Sequence, residues 1–340
     1  MESIERSVTQ GKRIADAFDR ESVIVHQCCD ESLCFLSDSI VALSIFFCTL
    51  CVTPNEKELK NCTTEELNRL HTELYEILGE IQRVCDILHI KCFLQGGSAI
   101  GAFFEQGILP WDDDIDVGML RADFARFMHE APSLLNSKYF LQWVESEPHM
   151  PLTMAKVRKN GTEFREYYWR DVEMHHGIFV DIMPYDKVPD NSFLQSCQRG
   201  CLRFLALCMI NKEVWGWKYL KKSAVDEPSE DRLITAFFVY VFSSLMTNRQ
   251  LYRLYTKVSS LFNGFQTKYY NQAKEYRDHI SVKSLENLQK VPFGPLMVYV
   301  PDDLETYLRH HYPNLRRTIP KEEQVAHPLF VLKFSDDQLS

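Results

Sequence analysis

Apolar residues recur every three or four positions from Leu67 through Leu70, Leu74, Ile77, Leu78, Ile81, Val84 and Cys85 to Leu88. That is the period of one helix face. Thr63 followed by Glu66 has the form of a capping box, so a helix is predicted over 64–88, packed on a sheet. Residues 91–94 read as a short strand and 98–104 as the start of a second helix. Polar and apolar positions then alternate over 114–118, the period of a strand. A helix over 121–130 turns Phe124, Phe127 and Met128 inward. Residues 139–144, 152–158 and 177–183 read as strands, and 193–210, 231–246 and 249–262 as helices. The pattern predicts an α/β protein: a small mixed sheet with flanking helices, then a mostly helical C-terminal part. It divides into an N-terminal extension (1–60), a core (61–190) and a C-terminal region completing the domain (191–340).

Composition narrows this only a little. A formal charge of −9 argues against nucleic acid as a partner, because phosphate backbones call for a basic face. The 11 cysteines are odd in number and irregularly spaced, which suits a reducing compartment. The apolar stretch over 33–52 approaches membrane-spanning length. Asp38 and several Ser and Thr residues interrupt it, so a buried element is favoured over an anchor. The first 32 residues are charged throughout and read as no signal peptide. A cytoplasmic protein follows, working at the inner face of a membrane, with anchoring through 33–52 as the alternative. The uncharged run over 233–247 is too short to span a bilayer. It reads as a core helix or as a surface that meets lipid.

The chemistry concentrates in residues 96–116, GGSAIGAFFEQGILPWDDDID. Gly96 and Gly97 let the backbone turn sharply, and the N–H groups of the helix that follows face an anion. On an extended strand Asp114 and Asp116 point the same way, about 7 Å apart along the chain. Like charges that close repel unless a cation lies between them, and magnesium, held by carboxylates and substrate phosphates, is the usual one. Manganese is the alternative. A Gly-Gly-Ser turn followed by an Asp-x-Asp strand is the pattern of the nucleotidyltransferase fold. Gly97 and Ser98 would meet donor phosphates through backbone and hydroxyl. Asp112 is the next candidate metal ligand, whereas Asp113 faces the other way and is expected to be solvated.

Three further positions extend the site. Asp181 is the only charge in the strand 177–183, and burying one carboxylate without a partner costs several kcal/mol. A structural ion pair accounts for it, but a third carboxylate beside Asp114 and Asp116 does so better. Lys156 and Arg158 share a strand face, either as solvated charges or as a phosphate clamp. Asp186, just beyond Pro184, is expected in a turn, and His71 in a structural or solvated position.

These motifs resemble those of the LicD family, the phosphocholine transferases related to fukutin and the fukutin-related protein. The resemblance rests on the Gly-Gly-Ser turn, on Pro110-Trp111-Asp112-Asp113-Asp114-Ile115-Asp116 and on Gly177-Ile178-Phe179-Val180-Asp181-Ile182-Met183-Pro184. A third match covers Val300-Pro301, Tyr307-Leu308 and Tyr312-Pro313, and similarity runs from about residue 64 to 330. Phe104-Glu105 stands where relatives commonly have Arg-His, a change that could alter the charge balance beside the phosphate site. The resemblance implies a metal-dependent enzyme with Asp114, Asp116 and Asp181 as catalytic residues and Asp112, Asp114, Asp116 and Asp181 as metal ligands. Gly96, Gly97, Ser98, Lys156 and Arg158 would bind donor phosphate. The donor is a CDP-alcohol such as CDP-choline, the acceptor a hydroxyl of a glycan or lipid-linked glycan, and CMP the product released. Peripheral membrane contact follows from a lipid-linked acceptor. Two other functions stay open: a nucleotidyltransferase acting on a small molecule, and a degenerate, non-catalytic glycan-binding member.

Overall fold

A computed structural model describes residues 58–216, 230–272, 279–317, 320, 324 and 326–335. The apolar segment 33–52 lies outside the described residues. Helix α1 (Thr64–Leu88) forms as its periodicity predicts. Thr63 and Glu66 close a reciprocal capping box, and His89 ends the helix in the left-handed region at φ 52°. Its buried stripe, Leu70 to Leu88, covers one face of a mixed sheet together with α3 (Arg121–Leu134).

Nine strands of the described residues form that sheet. Its main path runs β3 (Tyr139–Gln142), β4 (Ala155–Lys159), β6 (Phe179–Lys187), β2 (Asp116–Leu120), β1 (Phe93–Leu94), β10 (Leu296–Val300) and β9 (Gln289–Phe293). β2 runs parallel to β6, and β1 parallel to β10. Two short strands, β7 (Tyr269–Asn271) and β8 (Ile280–Ser281), extend β6. The α/β class stands as predicted. The C-terminal third contributes strands β7 to β10 as well as helices, so the sheet runs across residue 190. A separate two-stranded sheet pairs β5 (Glu163–Glu166) with β11 (Leu329–Lys333).

Helices α4 (Ser192–Ile210), α5 (Glu230–Leu245) and α6 (Asn248–Ser259) build a second core around Leu202, Leu205, Val239, Leu251 and Tyr255. Asp186 joins this bundle to the sheet. Contrary to expectation it is not in a turn: β6 continues through Pro184 to Lys187, and Asp186 is fully buried. β4 pairs with β6 only as far as Ile182 and β7 begins at Asp186. Pro184 falls in the gap, where no antiparallel neighbour needs its missing N–H. Asp186 accepts from Arg121 at 2.5 Å and from Asn263 at 2.7 Å.

Candidate active site

Strand register brings the acids together. Asp116 on β2 lies beside Asp181 on β6, and Lys156 on β4 lies beside Asp181 from the other side. All three side chains share the sheet face opposite α1. Asp114 precedes β2 but folds back, so that ligand oxygens of Asp114, Asp116 and Asp181 all lie within 4.8 Å of one another.

Helix α2 (Gly96–Phe104) starts against this cluster. Gly96 has φ +55°, and a Cβ there would sit 3.5 Å from Asp116 Oδ2. A Cβ on Gly97 would lie 3.0 Å from Asp112 Oδ2, so the glycine pair lets the acidic segment approach the helix start. The first-turn N–H groups have no intrahelical acceptor; that of Gly96 donates to the Tyr307 hydroxyl at 3.2 Å. The Ser98 hydroxyl is committed elsewhere. It is buried and accepts the Asp116 N–H at 2.9 Å, which fixes the first residue of β2.

Electrostatics at the cluster are unfavourable to an all-charged state. Burial, then Asp114 and Asp181, push the Asp116 carboxyl well above its usual range. Burial raises Asp114 to about 6 against the opposing His327 charge and, with the Asp114 charge next in weight, raises Asp112 to about 8. Asp116 Oδ1 is buried with no hydrogen-bond donor. Asp181 Oδ1 lies 2.8 Å from Lys156 Nζ at an angle that makes no hydrogen bond; the bond goes to Oδ2 at 3.1 Å. The unpartnered Asp116 oxygen, among mutually repelling carboxylates, fits a divalent cation.

Several expected positions come out differently. Lys156 and Arg158 are both buried, not solvated. Lys156 is the counter-ion of Asp181 and of Glu166, whose carboxylate lies 3.7 Å away, and sits 3.4 Å from the centre of the Phe179 ring. Asp181 therefore has a cationic partner after all. Arg158 donates to Gln142 Oε1 at 2.5 Å and to the Gly177 carbonyl at 2.7 Å, so its guanidinium serves the β3–β4 layer. Asp113 is buried instead of solvated. Residues 112–114 are not extended strand, so the alternation that put Asp113 on the outer face does not operate there. Asp112 packs beside Gly97 and belongs to neither close group of ligand atoms. His71 has a structural position, donating Nε2–H to the Asp112 carbonyl at 2.7 Å. Glu105, at the far end of α2 from the glycine turn, faces Arg317 at 3.6 Å and adds no charge at the cluster.

His327 is the site residue that sequence analysis missed. Its backbone N–H and Nδ1 both donate to Asp113, at 3.0 and 2.9 Å, and Nε2 lies 3.8 Å from Asp114 Oδ2. Burial works against its charge, but the Asp113 hydrogen bond and the Asp114 carboxylate outweigh it and hold the imidazole well above its usual range. A lone His-Pro before a strand carries no local signal; only the β5–β11 pairing brings it here.

A glycine turn opening a helix, against carboxylates on two adjacent parallel strands, fits a phosphotransferase. Residues 89–199 match the family model described as LicD/FKTN/FKRP, nucleotidyltransferase domain. The lipopolysaccharide cholinephosphotransferase LicD of Haemophilus influenzae is 26% identical over 272 residues, which cover 74% of this chain and 91% of that protein. An uncharacterized protein of Rickettsia typhi is 28% identical over 88 residues, 26% of this chain and 28% of its own length. One from Rickettsia prowazekii is 23% identical over 120 residues, 35% of this chain and 41% of its own. The chain spans less than half of either rickettsial protein.

Proposed function

We propose that this protein transfers phosphocholine, or a related phospho-alcohol, from a CDP-linked donor to a hydroxyl of a lipopolysaccharide-type glycan, releasing CMP. The observation that carries the reading is the convergence of Asp114, Asp116 and Asp181, with an orphaned Asp116 oxygen, beside the glycine turn. The similarity to the Haemophilus lipopolysaccharide cholinephosphotransferase, over 91% of that protein's length, supports phosphocholine as the transferred group and the acceptor class. The three carboxylates would hold a divalent cation, magnesium or manganese, which would supply positive charge to offset that of the phosphates. Gly96 and Gly97 receive the diphosphate at the start of α2. Lys156 pairs with Asp181 and holds it toward the cluster. The acceptor oxygen forms its bond to the phosphorus bearing choline while the bond to CMP breaks, its electron pair leaving on the CMP oxygen. A carboxylate of the cluster takes up the hydroxyl proton.

Purified protein given magnesium and a panel of CDP-alcohols should release CMP from CDP-choline or a close analogue, and release should stop in chelator. A nucleotide-bearing product would move the reaction to nucleotidyl transfer. No turnover of any donor with either metal would leave a binding protein.

The lipid-linked acceptor class also accounts for α5. No helix among the described residues is long and apolar enough to cross a membrane. Yet α5 exposes Ile234, Phe237, Phe238, Phe242 and Leu245 on one stripe and turns the small residues Ala236 and Ser243 inward. Such a face suits a helix lying in the bilayer interface. Replacing Phe237, Phe238 and Phe242 together by Ser should lower co-flotation with lipid vesicles at least about tenfold, since each phenyl is worth about 1.5–3 kcal/mol of burial. CMP release with a soluble acceptor should be unchanged. Equal flotation of the variant would remove the membrane contact.

A further inference from the structure

His327 approaches the carboxylate cluster with one ring nitrogen already committed. Asp113, itself buried, takes both the His327 backbone N–H and Nδ1–H. That fixes the tautomer and the ring orientation and leaves Nε2 as the nitrogen facing Asp114, 3.8 Å from its Oδ2. Two ligands at about 2.1 Å from one ion can lie at most about 4.2 Å apart. The gap between Nε2 and Asp114 therefore accommodates a cation. A histidine that ligates a metal almost always donates its other N–H to a carboxylate; Asp113 is so placed. Asp114 belongs to both close groups, one with Asp113 and His327 and the other with Asp116 and Asp181. The second group contains the orphaned buried oxygen of Asp116. His327 is about one-third exposed, so a hydrated ion can reach it.

We propose that His327 Nε2 ligates the divalent cation held by Asp114, with Asp113 as the carboxylate that orients the ring. The site then offers oxygen and nitrogen together. Magnesium prefers oxygen alone, whereas imidazole favours transition metals. The nitrogen ligand thus tilts the site toward manganese. The competing role for His327 is that of a fixed imidazolium facing Asp113, Asp114 and Glu166, with Asp112 and Asp116 behind them. The two roles predict opposite signs. Removing a ligand weakens metal binding; removing a competing positive charge strengthens it.

The inference shares with the proposed function only the presence of a cation, so its test uses neither donor nor turnover. Manganese is titrated into the full-length protein, and the bound ion is examined by electron spin-echo envelope modulation. Wild type should show the nitrogen modulation of a coordinated imidazole. His327→Gln should lose it and bind manganese about 10–100-fold more weakly, the range for damage to a ligand or its orienting group. Its magnesium affinity should change less. Asp113→Asn should keep the modulation and bind more weakly than wild type. Manganese bound without nitrogen modulation, or bound equally or more tightly by His327→Gln, overturns the assignment and leaves the donor reading intact. Absence of any manganese binding overturns both. Should His327→Gln fail to fold, the wild-type spectrum alone decides.

Discussion

Asp114→Asn and Asp116→Asn should each slow CMP release by about a thousandfold or more, while the metal-free proteins melt at the wild-type temperature or above it. The rate loss is on the scale of removing one preorganised electrostatic stabiliser from an active site. An amide keeps the shape of the carboxylate but brings no charge to a cation. The stability side follows from the cluster itself. Both carboxyls are pushed above their usual range, by burial first and then by neighbouring charges. Their ionisation in the folded state is thus unfavourable, and neutralising one relieves repulsion. Initial rates with magnesium, paired with melting in chelator, test the two halves together. Turnover within a few-fold of wild type in either variant would remove that aspartate from the mechanism. A variant that loses both activity and stability would assign it a structural role.

Lys156→Met should destabilise the metal-free protein by about 3–5 kcal/mol, the usual cost of removing one partner from a buried ion pair. Methionine fills a similar volume, so the loss is electrostatic. Lys156 is 1% exposed and lies against two buried carboxylates, Asp181 at 2.8 Å and Glu166 at 3.7 Å. Without the ammonium both are left in a poorly solvated layer. Asp181→Asn is the informative contrast, because Lys156 keeps Glu166 and the cluster loses one repelling charge. Its effect on stability should be much smaller, although its turnover falls steeply. Denaturant unfolding in chelator measures both. Added manganese should restore part of the stability of Lys156→Met, by giving Asp181 another cation. Equal destabilisation by the two substitutions would make the ion pair, not the metal, the reason Asp181 is buried.

How legible the site was depends on where each residue's partners lie along the chain. Asp114, Asp116, Gly96 and Gly97 fall within one short segment, and the strand period and the glycine pair marked them directly. Asp181 was conspicuous as a charge in an apolar run. What that run could not show was Lys156, which lies opposite it only once β4 pairs with β6. Asp113 went to the wrong face because strand alternation was carried three residues too far toward the N-terminus. Lys156 and Arg158 did share a face, as their spacing required, but that face turned out to be enclosed.

By itself the sequence determined the helix over 64–88, its capping box, the glycine turn, a strand from Asp116 and the α/β class. Each is a local pattern, decided by side-chain period and backbone freedom within a dozen or so residues. Only the tertiary structure decided that β9 and β10 complete the sheet beside β1, that Lys156 faces Asp181, and that His327 comes to the cluster through the β5–β11 pair. Those are contacts between residues far apart in the chain. They are set by which strand edges pair and which apolar faces are buried, and no short stretch of sequence carries that information.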